Sequence, residues 1–202
     1  NLPGDVPLPV LGFGTFQPKD DVAEKAVAHA LDVGYRHVDT ADMYGNHQGV
    51  GKAIRASGVP RDHLCLVTKI WRDRLRHDDL LADAERSLKE LATDYVDQLL
   101  IHWPNRDIPM DETFKAMDQL VRDGKARTIG VSNFTPAHLD KAIDASPQPI
   151  AANQVELHPY LAQPELREAC RKRNIPVVAY RPIVMGKVND DPVITAIAEK
   201  HG

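Results

Sequence analysis

The sequence contains no run of 18 or more apolar residues, which excludes a helix that crosses a bilayer. It also has no excess of basic charge, because 25 Lys and Arg stand against 29 Asp and Glu and the basic residues form no long cluster. We therefore expect neither a membrane nor a nucleic acid as a partner.

Cysteine is scarce. Cys65 and Cys170 are far apart and match no metal-site or disulfide spacing. Cys65 lies in an apolar, strand-like run and Cys170 in a helix-like one. We expect two buried thiols, the reducing environment of the cytoplasm and no bound metal.

Two patterns alternate along the chain. Between β-branched runs lie segments with apolar residues at helical spacing, such as Leu80, Ala84 and Leu88. Thr135-Pro136 is typical of a helix start and Gly124 of a helix end. This alternation predicts an α/β fold with parallel strands. The strand-like runs are "PVLGFGT", "YRHVDTA", "LCLVTKI", "YVDQLLIH", "ARTIGVS", "PIAANQVE" and "IPVVAY".

The spacing of the strand ends favours a barrel over an open sheet. Successive ends are one βα unit apart, between 22 residues (Ser132 to Gln154) and 33 residues (Lys69 to His102). An open sheet that binds a dinucleotide carries three glycines after its first strand, and Gly12-Phe13-Gly14 lacks the third. We predict one (β/α)₈ TIM-barrel domain over residues 1–202.

A complete barrel of this type needs about 250 residues. The sequence accounts for about seven βα units, so we expect the eighth strand to be absent and the C-terminal part of the barrel to be missing. The first and seventh strands would then each have an unpaired edge. We expect the full-length protein to be a monomer, and swapped or associated chains to be an option for the shorter one.

Polar side chains fall at the expected carboxyl ends of four strands or in the loops after them: Asp39, Tyr44, Lys69 and His102. Each has an ordinary structural alternative, such as a turn cap, a solvated lysine or a hydrogen-bonded core histidine. Together they indicate an acid that protonates a carbonyl oxygen, with a bound cofactor as the electron source, because the group offers no nucleophile.

A pKa argument accompanies this interpretation. If the Lys69 ammonium lies ~4 Å from the Tyr44 hydroxyl, an effective dielectric near 20 gives an attraction of about 4 kcal/mol to the phenolate. We therefore expect the pKa of Tyr44 to fall from its ordinary value near ~10 toward ~7.

The whole chain resembles the aldo-keto reductases, in particular the bacterial enzymes that reduce 2,5-diketogluconate and methylglyoxal. The resemblance is carried by "GFGTF", "GYRHVDTADMYGN", "LVTKIW", "LLIHWP", "IGVSNF", "NQVELHPY" and "VVAYRP". It implies a (β/α)₈ barrel that uses NADPH without a Rossmann motif and acts on a small-molecule carbonyl substrate.

The resemblance also implies roles by position. The catalytic tetrad is Asp39, Tyr44, Lys69 and His102, with Tyr44 as the general acid. Cofactor contacts are expected from Gly14, Thr15, Asp39, Ser132, Asn133, Gln154, Tyr180 and Arg181, where Tyr180 stacks on the nicotinamide. Phe16, Trp71 and Trp103 are expected to wall the substrate pocket, although Trp103 has interface packing as an alternative.

Two positions depart from the family pattern. Phe16 stands where many members have tryptophan, and Arg181 stands where serine is common, so we expect Arg181 to contact a cofactor phosphate.

Two other functions stay open. His37, Asp39 and His102 could be metal ligands of a hydrolase, and the chain could be a cofactor-binding barrel, or an inactive fragment, without turnover.

Overall fold

The computed structural model describes residues 1–202, and each of its seven strands is followed by a helix. Each strand lies within its predicted run, although the first two are only two and three residues long. The strands are β1 (Phe13–Gly14), β2 (His37–Asp39), β3 (Cys65–Ile70), β4 (Val96–Ile101), β5 (Ala126–Ser132), β6 (Ile150–Glu156) and β7 (Val177–Tyr180). The helices are α1 (Asp20–Asp32), α2 (His47–Ala56), α3 (His77–Leu91), α4 (Met110–Arg122), α5 (Pro136–Ala145), α6 (Pro164–Lys172) and α7 (Pro192–His201).

All neighbouring strands pair in parallel, in the order β1-β2-β3-β4-β5-β6-β7. The sheet curves into a nearly closed barrel whose two outer strands are β1 and β7. This confirms the predicted α/β barrel with seven strands. None of the helices is long and apolar enough to cross a membrane.

Strand residues alternate between the helices and the barrel interior, as parallel strands require. Leu66 and Leu99 belong to the main hydrophobic core that the strands form with the helices. Val67 and Leu100 belong to a separate interior cluster, against which Leu8 of the N-terminal segment packs. Because parallel strands present their carboxyl ends at one rim, inward-facing residues at those ends become neighbours.

Helix α2 packs unusually closely on its neighbours. A Cβ at Gly49 would lie 2.0 Å from the backbone oxygen of Asp20 in α1, and a Cβ at Gly51 would lie 2.4 Å from that of Leu91 in α3. Only glycine permits such an approach of two backbones. The helix is therefore fixed against both neighbours, and so is the segment that leads into it.

Candidate active site

The loop between β2 and α2 carries Tyr44. Residues Asp42–Tyr44 form a 3₁₀ turn that ends at Gly45, whose φ of +63° is readily adopted by glycine. The Asp42 carboxylate accepts a hydrogen bond from the Trp71 backbone N–H over 3.3 Å, so the turn is held against the end of β3. The phenol therefore stands at the carboxyl-terminal rim of the barrel.

Lys69 is buried at this rim, with its side chain only 1% exposed. Its Nζ donates to Oδ1 of Asp39 over 2.5 Å and to the backbone oxygen of Thr40 over 2.9 Å. The other carboxylate oxygen of Asp39 accepts a hydrogen bond of 2.7 Å from Gln154 Nε2. The buried ammonium thus has the counter-charge that burial requires.

Tyr44 lies next to this ion pair. The centre of its ring is 5.4 Å from Lys69 Nζ, 5.7 Å from the ring of His102 and 5.2 Å from that of Phe16. The structure therefore brings together the four residues that the sequence placed at neighbouring strand ends, although they span positions 39 to 102. Convergence at one rim is the arrangement that the barrel interpretation required.

The prediction that the pKa of Tyr44 is lowered is wrong for the protein without bound ligands. Burial raises the pKa of the phenol above its ordinary value, and the charge of Asp39 raises it further, against a smaller lowering by Arg181. Burial is therefore the main reason, and the charge of Lys69, which is paired with Asp39, does not offset it. Tyr44 therefore keeps its proton throughout the physiological pH range.

His102 follows β4 and has a neutral ring. Burial, and then the charge of Lys69, lowers the pKa of His102 to about 4. Its Nδ1 is buried and has no hydrogen-bond partner in the protein. The ring packs edge-on against Trp71, with 5.2 Å between centroids. A neutral imidazole beside a phenol can donate one hydrogen bond to an oxygen atom placed between them.

The three aromatic residues expected in the substrate pocket do not form one wall. Phe16 contacts Tyr44 and Trp71 contacts His102, so these two flank the tetrad. Trp103 is 41% exposed and instead lines an adjacent open cleft, together with Asn133 and Tyr180. Its position leaves both the pocket and the interface interpretation open.

Side chains with amide and hydroxyl groups occupy the ends of β5, β6 and β7. Asn133 Nδ2 donates to Ser132 Oγ over 3.1 Å and to the backbone oxygen of His102 over 3.0 Å. The Tyr180 hydroxyl donates to Asn133 Oδ1 over 2.9 Å. With Gln154, which donates to Asp39, these groups place hydrogen-bond donors and acceptors at the ends of three neighbouring strands.

The remaining residues expected at the cofactor lie at both edges of the sheet. A Cβ at Gly14 would meet no atom within 4 Å. The Thr15 hydroxyl is buried and donates to the Asp39 backbone oxygen over 3.2 Å, so it supports the sheet. Arg181 adopts a φ of +51°, its guanidinium lies 5.9 Å from the Phe16 ring, and its Nη1 lies 3.7 Å from Glu156.

The hydrolase alternative lacks a ligand set. No three His, Cys, Asp or Glu side chains converge as a metal ion would require. Both ring nitrogens of His37 are buried without a partner, and Gly12 lies directly against its ring. Lys69, which would repel a metal ion, occupies the space beside Asp39 instead.

Two residues that support the site were missed in the sequence. Thr40 and Asn46 are fully buried behind the tetrad and bond to each other. The only signal for Asn46 was its place directly before a helix, where asparagine is commonly a cap. Asn153 directly precedes Gln154 in β6, so strand alternation directs these two side chains to opposite faces of the sheet. The Asn153 side chain points outward, donating to the Phe134 backbone oxygen over 3.0 Å.

Comparison with known proteins agrees with this geometry. Residues 10–199 match the model of the aldo/keto reductase family. The chain belongs to the aldo/keto reductase family. This confirms the resemblance found in the sequence motifs.

Two curated relatives of this aldo/keto reductase carry names that specify a substrate. It is 43% identical to the glyoxal reductase of Bacillus subtilis (strain 168) over 202 residues, which cover 99% of this chain and 72% of the relative. It is also 43% identical to the methylglyoxal reductase DkgB of Escherichia coli O157:H7, with 96% of this chain and 74% of the relative covered.

A solved structure shows the same fold around a cofactor. The aldo-keto reductase of Bombyx mori, crystallised in complex with NADP, superimposes on this reductase with a TM-score of 0.91 at 33% identity. The match covers 99% of this chain and 74% of the Bombyx chain.

Proposed function

We propose that this aldo/keto reductase reduces small aldehydes and ketones to alcohols with NADPH, and that Tyr44 donates the proton. The observation that carries the proposal is the convergence of Tyr44, Lys69, Asp39 and His102 at one rim of the barrel. A phenol, a neutral imidazole and a paired ammonium around one small space suit an oxygen atom that gains negative charge.

Dicarbonyl compounds such as methylglyoxal, and diketo-sugar acids, are the substrate class that we propose. Support comes from the relatives named glyoxal and methylglyoxal reductase. Phe16 and Trp71 flank the tetrad with flat apolar surfaces, and Phe16 is 49% exposed, so the approach to the tetrad is open. An open approach suits small polar substrates better than large apolar ones, which gain affinity from enclosure.

The residues at the ends of β5 to β7 fit a nicotinamide cofactor. Ser132, Asn133 and Gln154 offer the donors and acceptors that a carboxamide needs, and we propose that they hold it, with Tyr180 against the ring. When bound, the reduced nicotinamide supplies the hydride. NADPH is proposed over NADH because of the family resemblance and the NADP in the Bombyx relative.

The proton-transfer step follows from the protonation states of the site. Tyr44 is protonated at physiological pH because its pKa is raised. A neutral His102 can orient the carbonyl oxygen by a hydrogen bond without competing as an acid. We propose that the Lys69–Asp39 ion pair provides a polar, charge-balanced environment beside Tyr44. This environment accommodates the phenolate that forms when Tyr44 gives up its proton.

The test is the loss of NADPH absorbance with methylglyoxal and with a diketo-sugar acid, measured for the wild type and for Tyr44→Phe. We expect Tyr44→Phe to lower kcat by about 100-fold or more, since general acid catalysis contributes ~10²–10⁴. Tyr160→Phe is the matched control because this exposed phenol bonds to Asp191, in the segment between β7 and α7.

The outcomes separate the functions. Full activity in Tyr44→Phe would show that another group donates the proton. NADPH binding by the wild type without any turnover would instead support the cofactor-binding barrel that the sequence left open.

A further inference from the structure

Asn46 has the sequence and the position of a helix cap, but its side chain does not cap the helix. It is the residue directly before α2, and asparagine is among the best residues at this position because its side chain accepts from the first turn. Here no such hydrogen bond is present. The side chain of Asn46 must therefore have another use.

A residue of α1 performs the capping instead. The Asp20 carboxylate accepts a hydrogen bond from the Gly49 backbone N–H over 2.8 Å, in the first turn of α2. This contact is possible because Gly49 has no side chain, so that α1 and α2 approach closely. The first turn of α2 is thereby supported from outside, and the Asn46 amide is free for other partners.

The Asn46 amide connects three segments of the rim. Its Nδ2 donates to the backbone oxygens of Thr15 over 2.7 Å and of Pro18 over 3.0 Å, both in the loop after β1. Its Oδ1 accepts from the Thr40 hydroxyl over 3.1 Å, at the end of β2. The side chain is fully buried, so water does not compete for these bonds.

Thr40 extends this connection to the tetrad. Its backbone oxygen accepts from Lys69 Nζ over 2.9 Å, and its hydroxyl donates to Asn46. A continuous set of hydrogen bonds therefore runs from the ammonium of Lys69 through Thr40 to Asn46, two residues after Tyr44. The turn that carries Tyr44 is held by Asn46 at one end and by the Asp42 contact with Trp71 at the other.

We propose that Asn46 is a positioning residue, which acts with Thr40 to hold the Tyr44 phenol at a fixed distance from the Lys69 ammonium. The proposal rests on the proposed role of Tyr44 as the proton donor. A proton donor displaced by about 1 Å can lose ~100-fold in rate, so rigid support behind the phenol has a direct kinetic consequence.

Thr40→Val is the main test, because it removes the hydroxyl and keeps the shape of the side chain. We expect kcat for methylglyoxal to fall by about 10- to 100-fold. The KM for NADPH should change by less than about threefold, since the Ser132 hydroxyl and the amides of Asn133 and Gln154 are untouched. Thr40→Ser keeps the hydroxyl and should restore most of kcat.

Thr113→Val is the matched control. The Thr113 hydroxyl is equally buried and donates to the Leu75 backbone oxygen over 2.9 Å, but it lies on α4. We expect Thr113→Val to lower the melting temperature about as much as Thr40→Val and to leave kcat unchanged. A fall in kcat in both variants would reduce the effect of Thr40 to a general loss of stability and would overturn the proposal.

A second measurement does not depend on turnover. The sequence has five tyrosines, so the Tyr44 signal in protein labelled with [¹³Cζ]tyrosine can be assigned as the one missing from Tyr44→Phe. We expect this signal to shift in Thr40→Val and in Asn46→Asp, but not in Thr113→Val.

An unmoved Tyr44 signal in Thr40→Val would overturn the proposal even if the chain showed no reductase activity. Wild-type kcat in Thr40→Val would overturn it as well and would leave the proposed reduction intact. Full activity in Tyr44→Phe would instead overturn the proposed proton donor.

Discussion

The Lys69 ammonium lies 2.5 Å from the Asp39 carboxylate, so the positive charge that stands 5.4 Å from the centre of the Tyr44 ring is already paired. An unpaired ammonium at this place would stabilise phenolate, whereas an ion pair has little net charge at the distance of the phenol. Burial then decides the protonation state of Tyr44. With the ammonium paired, burial leaves the phenol protonated, which is the state that the proposed proton donor needs at the start of each turnover.

Asp39→Asn should therefore lower the pKa of Tyr44, since the charge of Asp39 is the second largest cause that raises it. The measurement is an alkaline titration of phenolate absorbance, with Tyr44→Phe as the background. Asp140→Asn, which removes an exposed carboxylate paired with Arg173, serves as the control and should leave the Tyr44 titration where it is. A higher pKa in Asp39→Asn would contradict the explanation by charge pairing.

Stability should fall as the pH drops below about 6.5. Burial lowers the pKa of His47 and of His102 to about 4 in the folded chain, from the ordinary histidine value of 6.5. Between these values the unfolded chain binds more protons than the folded one, so the free energy of unfolding decreases as the pH falls through this window. At about 1.4 kcal/mol per pKa unit, His47 contributes roughly 3 kcal/mol of this loss.

His47→Gln is the variant that tests this pH dependence. His47 Nε2 lies 3.0 Å from the Thr68 hydroxyl and the side chain is 1% exposed, so glutamine can keep one hydrogen bond without a titratable ring. Urea unfolding between pH 7 and pH 4.5 should give a smaller decrease in stability for His47→Gln than for the wild type. His63→Gln, at an exposed position, should reproduce the wild-type decrease.

Gly49→Ala should destabilise the fold by about 1–3 kcal/mol, because the added methyl group would overlap the Asp20 backbone and force α1 and α2 apart. Gln48→Ala, at the exposed neighbouring position, should change stability by less than about 0.5 kcal/mol. Denaturant unfolding of both variants measures the difference. Equal stability of the two would show that the helices can separate without cost.

Arg181→Ala should weaken NADPH binding by about tenfold, which corresponds to about 1.4 kcal/mol for a lost contact with phosphate. Fluorescence titration with NADPH measures this, and Arg171→Ala, which removes an exposed arginine paired with Glu168, is the charge-matched control. Unchanged NADPH affinity in Arg181→Ala, together with a higher KM for an acidic substrate, would assign the guanidinium to the substrate side near Phe16.

The barrel architecture was predictable because local patterns determine it. Strands β5 and β6 coincide with the predicted runs to within one residue, since β-branched runs bounded by turn residues and helical spacing are visible in the chain itself. The convergence of Asp39, Lys69 and His102 was also predictable, because parallel strands bring their carboxyl ends to one rim.

The protonation state of Tyr44 could not be predicted in the same way. It depends on which carboxylate pairs with the Lys69 ammonium and on how deeply the phenol is buried, and tertiary packing determines both. The same holds for Asn46. Its sequence context indicates a helix cap, and only the approach of α1, which supplies Asp20 to the first turn of α2, shows that its amide is used elsewhere.

Asp20 of α1 takes the capping position of α2 that Asn46 would otherwise fill, and this links a helix on the outside of the barrel to the loops at its rim. Asp20 is half-buried at the start of α1, away from the ion pair, yet it leaves Asn46 available to the loops. Without the Asp20 carboxylate, the Gly49 backbone N–H would lack its acceptor, and the Asn46 side chain would be the nearest cap residue to replace it. A substitution at position 20, outside the tetrad, would then displace the Tyr44 phenol and change the rate of the proposed proton transfer.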